Sequence, residues 1–264
     1  MNTNTRSALG AIEAFIHEHQ LDADEGSMAR FASYLDALLE AQHNSSIIGP
    51  LSPEQIATEL ICDSLQIMRV GPLAALVDIG SGAGFPGLPL KIMQPSLSLT
   101  LVEPRRQRHA FLQHCVALLK LEQVQCCKVK VEQWQAQDIG LLCSKAFTTL
   151  PRWLALGQQR LGPKGQLSVL CSKDDWLQHC ADTIGTEPLH HRQEAQAQCE
   201  PYPLPTRQAG HASTPREQSS SQEPSGEHGQ APYSLIDARE YRWSRGPARM
   251  VLRLRLRRPA TPHV

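Results

Sequence analysis

Apolar residues recur at helical spacing through Ala8–His19 and Met28–Ala41, which predicts two amphipathic helices at the start of the chain. A third helix opens at Ser52-Pro53-Glu54-Gln55, a capping-box pattern with proline at the first helical position. From Ala75 the pattern changes to short apolar runs alternating with helices. Strands are predicted over Leu76–Ile79, Ser98–Val102, Gln125–Val129, Leu141–Phe147 and Gln166–Leu170, with helices over Leu88–Met93, Arg106–Lys120 and Trp153–Arg160. Such βαβα alternation predicts an α/β fold with a doubly wound, mostly parallel sheet.

Over 187–231 the composition falls to Gln, Glu, Ser, Pro, Gly and His, too polar to offset its chain entropy by burial, so a disordered insertion is expected there. Beyond it Ala248–Arg258 alternates, with Leu252, Leu254 and Leu256 on one face and Arg253, Arg255 and Arg257 on the other. That reads as a half-buried strand closing the sheet, its arginines keeping an edge soluble. The expected organisation is a helical extension (1–72), a core domain (73–186 with 232–258) and the insertion between the two core pieces.

Charge modifies this picture at the two ends. Residues 1–75 carry three basic side chains (Arg6, Arg30, Arg69) against ten acids, whereas the C-terminal segment is rich in arginine, which points to an anionic partner. The eight cysteines form no C-x-x-C pair, so buried thiols in a cytoplasmic protein are expected and a metal site is not. No apolar run approaches the roughly 20 residues that span a bilayer, and a membrane partner is not expected.

The densest chemical signal is Leu76-Val77-Asp78-Ile79-Gly80-Ser81-Gly82-Ala83-Gly84-Phe85-Pro86-Gly87-Leu88-Pro89. Glycines at every second position let a backbone approach a ligand and adopt positive φ, and the helix start beyond adds N–H donors. Gly82, Gly84 and Gly87 spell G-x-G-x-x-G with Glu103 about twenty residues on, a dinucleotide pattern that alone is weak. Asp78, two residues before the first glycine, is placed to receive the ammonium of an amino-acid ligand, and Pro86 and Pro89 disturb the packing a pyrophosphate site needs.

The acid-x-Gly-x-Gly-x-Gly pattern is similar to the first motif of class I S-adenosylmethionine (SAM) methyltransferases. The G-F-P-G-L-P ending narrows the resemblance to the RsmG (GidB) family, which methylates N7 of a guanine in 16S ribosomal RNA. The likeness continues through Leu101–Leu112, Val129-Lys130-Val131-Glu132 and Ser144-Lys145-Ala146-Phe147, and more loosely through Asn44-Ser45-Ser46-Ile47 and Cys62-Asp63-Ser64-Leu65. It implies a class I methyltransferase sheet and SAM as cofactor. The loop residues Asp78, Gly80, Gly82, Gly84 and Phe85 would contact SAM, Glu103 would accept from the ribose hydroxyls, Val131 and Glu132 would meet the adenine, and Lys145 would complete the set. The family has arginine where Lys130 and Lys145 stand, and lysine lacks the flat five-donor fork. It also has histidine near Leu60 and Ile61, and Lys-Gly after the strand that ends here at Cys171-Ser172-Lys173.

Guanine N7 has a lone pair and no proton, so the reaction needs positioning and no general base, and no catalytic dyad is expected. The implied partner is 16S ribosomal RNA or the assembling small ribosomal subunit, met by a monomer. Its phosphates would be held by Arg105, Arg106, Arg108, Arg152, Lys164 and Lys173, and Phe85 or Phe147 would stack on a flipped guanine. Two other readings remain at this point. One is a SAM-binding, ribosome-associated protein with weakened activity, from the exchanged lysines; the other is a nucleotide-dependent oxidoreductase, from the glycines alone.

Overall fold

The computed structural model describes residues 3–44, 47–73, 75–184, 231–242 and 247–257. Ser45, Ser46, nearly all of the expected insertion and Arg258 lie outside the described residues.

Two amphipathic helices, α1 (Thr3–Glu18) and α2 (Ser27–Asn44), open the chain. A continuous helical run then begins with α3 (Pro53–Gln55), where Ser52 Oγ accepts from Gln55 N–H and Gln55 Oε1 accepts from Ser52 N–H, at 3.2 and 3.0 Å. It widens to π geometry over Ile56–Cys62, continues as α4 (Asp63–Leu65) and tightens to 3₁₀ over Gln66–Val70.

Strands β1 (Ala75–Ile79), β2 (Ser98–Val102), β3 (Val124–Cys127), β4 (Ile139–Cys143) and β5 (Leu161–Ser172) alternate with helices α5 (Gly87–Met93), α6 (Arg106–Leu118) and α7 (Leu150–Arg160). After α8 (Lys173–Ile184) come β6 (Tyr233–Tyr241) and β7 (Arg249–Leu256). Among the described residues the strands form one sheet of seven, in the order β3-β2-β1-β4-β5-β7-β6. All pairings from β3 to β5 are parallel, and β7 alone is reversed, antiparallel to both neighbours. This is a mostly parallel, doubly wound sheet. One apolar cluster joins Ile12, Phe31 and Leu38 of the helical extension to Leu76, Leu101, Leu112 and Val251. A second, on the opposite face, gathers Ile79, Leu142, Trp153, Trp176, Leu252 and Leu254.

Three expectations change. The fourth strand stops at Cys143 instead of Phe147, because residues 144–149 leave the sheet as a loop. The arginine-bearing strand does not close the sheet: β7 lies between β5 and β6, and β6 is the edge. Arg253 is accordingly 1% exposed, since residues 67–72 cover the polar face that alternation assigns to solvent.

Candidate cofactor site

In an open α/β sheet ligands bind at the carboxyl ends of the strands, where strand order reverses. Here that point lies between β1 and β4, and the glycine loop after β1 borders it. Of its glycines, Gly80 (φ +71°) and Gly82 (φ +58°) both take positive φ but differ in what lies over them. A Cβ added at Gly82 would meet nothing closer than 3.8 Å, whereas one at Gly80 would collide with the Phe147 ring. Gly84 and Gly87 serve packing instead. A Cβ at Gly84 would strike Leu88 and come within 2.9 Å of the Tyr34 hydroxyl, and one at Gly87 would lie 2.7 Å from Leu101. The loop is pinned from outside by α2: Tyr34 donates to the Ala83 carbonyl at 2.7 Å, and its ring packs on Phe85 at 5.7 Å between centroids.

Glu103, at the end of β2 and 3% exposed, closes the cradle. Its Oε2 accepts from Gly82 N–H at 3.0 Å and its Oε1 from Arg105 N–H at 2.9 Å. Each oxygen keeps a further lone pair for a ligand hydroxyl. Beside it opens a cleft of about 510 Å3 lined by Ile79, Gly80, Val102, Pro104, Val131 and Phe147, with Lys130, Glu132 and Gln133 at its rim. That volume lies within the roughly 300–1,000 Å3 of small-molecule sites. An adjoining hollow of about 350 Å3 reaches past Val131 and Phe147 to Arg152 and Leu156 on α7.

The structure thus brings Gly80, Val131 and Glu132 to one cleft, with the Gly82–Glu103 pair beside it. It places the other expected residues elsewhere. Phe85 is buried toward the helical extension, and Gly84 packs on Leu88. Lys145 turns away to Asp63. Asp78 is 0% exposed beneath the loop, its Oδ2 accepting from Gly87 N–H at 3.0 Å while Oδ1 has no hydrogen-bond partner among the described residues. Its carboxyl therefore holds the turn into α5 and does not face the cleft.

Among the expected RNA contacts, Arg105 and Arg106 are exposed at the start of α6, and Arg108 reaches toward Gly82. Arg152 stands 3.6 Å from Glu132, both exposed, and Lys173 pairs with Glu240 at 2.7 Å. Lys164 does not border the cleft. Because β5 begins at Leu161, opposite Ile139 of β4, Lys164 lies at the amino end of the sheet.

Sequence reasoning missed Arg160, whose guanidinium donates to the carbonyls of Val131 (3.0 Å) and Trp134 and so laces the loop carrying Val131 and Glu132. Backbone carbonyl acceptors leave no signature in a sequence. A last-turn arginine on α7 is the sole hint.

Burial drives the Asp78 carboxyl well above its ordinary range, only partly offset by the Gly87 N–H. A raised folded-state pKa gives stability that is full below the unfolded value, 3.8, and is lost as pH rises toward the folded one. Asparagine cannot ionise and keeps an acceptor for Gly87. Urea unfolding is therefore expected to show Asp78→Asn gaining on the wild type as pH climbs from 5 to 8; parallel stability curves would refute the buried neutral acid.

The family model GidB, rRNA small subunit methyltransferase G, matches residues 27–192. The chain belongs to this family. Among GidB relatives, the ribosomal RNA small subunit methyltransferase G of Halorhodospira halophila is 28% identical over 159 residues, 60% of this chain and 76% of its own. That of Myxococcus xanthus is 33% identical over 149 residues, 54% of this chain and 69% of its own. The SAM-dependent O-methyltransferase of Thermotoga maritima, a solved structure, aligns with a TM-score of 0.45 at 11% identity, over 87% of this chain and 73% of its own. A likeness that loose adds nothing to the strand order itself. The matched span holds the glycine loop, Glu103, Val131 and Lys145, so the GidB assignment covers every element that borders the cleft.

Proposed function

We propose that this protein is a SAM-dependent methyltransferase acting on guanine N7 of 16S ribosomal RNA. The observation that carries the reading is the pairing of Gly82 with Glu103: a positive-φ glycine whose nearest neighbours stand off at 3.8 Å, tied to a strand-end carboxylate that retains acceptor capacity. A molecule with a ribose, an adenine and an amino-acid tail fits that cradle and the apolar cleft beside it.

Glu103 receives the ribose hydroxyls, while Val102, Pro104, Val131 and Phe147 enclose the base and exclude water. Gly80 and Gly82 let the backbone come within contact of the tail. When bound, SAM supplies a methyl group already activated on a sulfonium. The residues around it have only to hold the acceptor nitrogen in line, and no side chain here needs to move a proton. Arg105, Arg106 and Arg108, just beyond Glu103, and Arg152, on the adjoining hollow, hold phosphates of the RNA. The domain boundaries follow from the same reading, with residues 1–72 as the extension that braces the loop through Tyr34.

Calorimetry with SAM, followed by methylation of small subunits from a strain lacking this gene, tests the proposal. Mass spectrometry of the RNA is expected to locate one new N7-methylguanosine. Absence of SAM binding, or of methyl transfer to the RNA, would overturn it. Glu103→Ala is expected to weaken SAM binding about 10- to 100-fold, or about 1.4–2.8 kcal/mol, since it removes the ribose acceptors and frees two buried-side N–H groups. A change below threefold would remove Glu103 from the site.

A further inference from the structure

Asp63 lies in the helical extension, yet two side chains of the sheet and one from the loop after β4 converge on it. It is 1% exposed. Its Oδ1 accepts from the Tyr241 hydroxyl at 2.7 Å and faces Arg249 Nε at 3.3 Å. Its Oδ2 accepts from Lys145 Nζ, which also donates to the Glu59 carbonyl at 2.6 Å in the π-helical turn just before. Tyr241 and Arg249 are paired residues of β6 and β7, and Lys145 follows the end of β4. One carboxylate therefore gathers the ends of three strands. Burial pushes its pKa up, and the Lys145 and Arg249 cations outweigh that, so it stays ionised.

The two residues after Lys145 give this cluster a consequence. Ala146 has φ +52°, a left-handed conformation that costs a residue with a Cβ about 1–2 kcal/mol. Phe147 comes next, 37% exposed, its ring against Gly80 and lining both the 510 Å3 cleft and the adjoining hollow. Strained backbone persists where its surroundings over-determine it. Here Lys145 is fixed on one side by Asp63 and Glu59, and Phe147 is seated on the other.

We propose that Asp63 is a positioning residue for the cofactor cleft: through Lys145 it holds the 144–149 loop so that Phe147 closes over Gly80. Lys145 is then the anchor of the loop. The inference rests on the SAM reading above.

The test is calorimetric titration of SAM into the full chain, with methyl transfer measured alongside. Asp63→Asn is expected to weaken SAM binding at least tenfold and raise KM for SAM, with kcat at saturating SAM within twofold of the wild type. Phe147→Ala is also expected to weaken binding. In the Phe147→Ala background, Asp63→Asn is expected to add less than a twofold further loss, because the ring it positions is gone. A merely stabilising cluster would give additive effects, or a fall in kcat with unchanged KM, and either result overturns the proposal. So does a folded Asp63→Asn protein that binds SAM as the wild type does. Should Asp63→Asn fail to fold, Tyr241→Phe removes one bond to the same carboxylate; a two- to fivefold loss that vanishes in the Phe147→Ala background supports the proposal, and unchanged affinity refutes it. A wild type that does not bind SAM would instead overturn the cofactor reading itself.

Discussion

Replacing Arg253 by alanine is expected to lower the unfolding free energy by about 3–5 kcal/mol. The guanidinium is buried between the sheet and the 3₁₀ turn that ends the helical extension. It donates to the Pro72 carbonyl at 3.1 Å, Gln166 Oε1 at 3.2 Å and the Ile67 carbonyl at 3.3 Å. Truncation leaves a cavity the size of the lost side chain, and three acceptors lose a donor where water has little access. Burial lowers the pKa of Arg253 to about 10, so it still carries its charge near neutrality. Arg253→Lys keeps the charge but offers a single nitrogen, which cannot span three acceptors on separate segments. It is expected to fall between wild type and alanine. Denaturant midpoints at constant m-value measure both changes. A loss under 1 kcal/mol for alanine would mean that the 66–73 segment is held by its apolar contacts alone.

Arg253 also marks the limit of what was legible along the chain. Alternation through Met250–Leu256 identifies the strand and its apolar face, because side-chain direction is local. What covers the other face is not local: the partners at Ile67 and Pro72 are 186 and 181 residues away. For the same reason β6 escaped notice. Its pairing with β7 shifts register between Leu235 and Asp237, which breaks the alternation that would announce a strand. In the candidate site, Gly82 and Glu103 were readable because their spacing reflects one β-turn-helix-β unit, whose geometry the intervening residues dictate. Asp78 was found, but its direction was not. A strand-end acid beside a glycine loop can face a ligand or the loop's own N–H groups, and only the fold selects Gly87. The Lys145–Asp63 contact spans 82 residues and two layers of structure, and neither residue's neighbours encode it.

Gly80→Ala is expected to abolish SAM binding in practice, with at least a 100-fold loss of affinity, or about 2.8 kcal/mol. Two independent effects combine. At φ +71° an added Cβ brings about 1–2 kcal/mol of backbone strain. The same Cβ would overlap the Phe147 ring, whose Cγ lies 3.1 Å from the position it takes. The ring is not the far end of a free side chain: Phe147 follows the left-handed Ala146 and the anchored Lys145. It yields by leaving the cleft or by dragging the 144–149 loop with it, and either movement opens the base pocket. Gly10 gives the contrast. It sits in α1 with nothing among the described residues within 4 Å of its Cβ position and no positive φ. Gly10→Ala is therefore expected to raise stability by about 0.5–1 kcal/mol through helix propensity, without changing SAM affinity. Calorimetry and urea unfolding on the two variants separate binding from stability. If Gly80→Ala bound SAM within threefold of the wild type, the cleft between the glycine loop and Phe147 would not be where the cofactor lies.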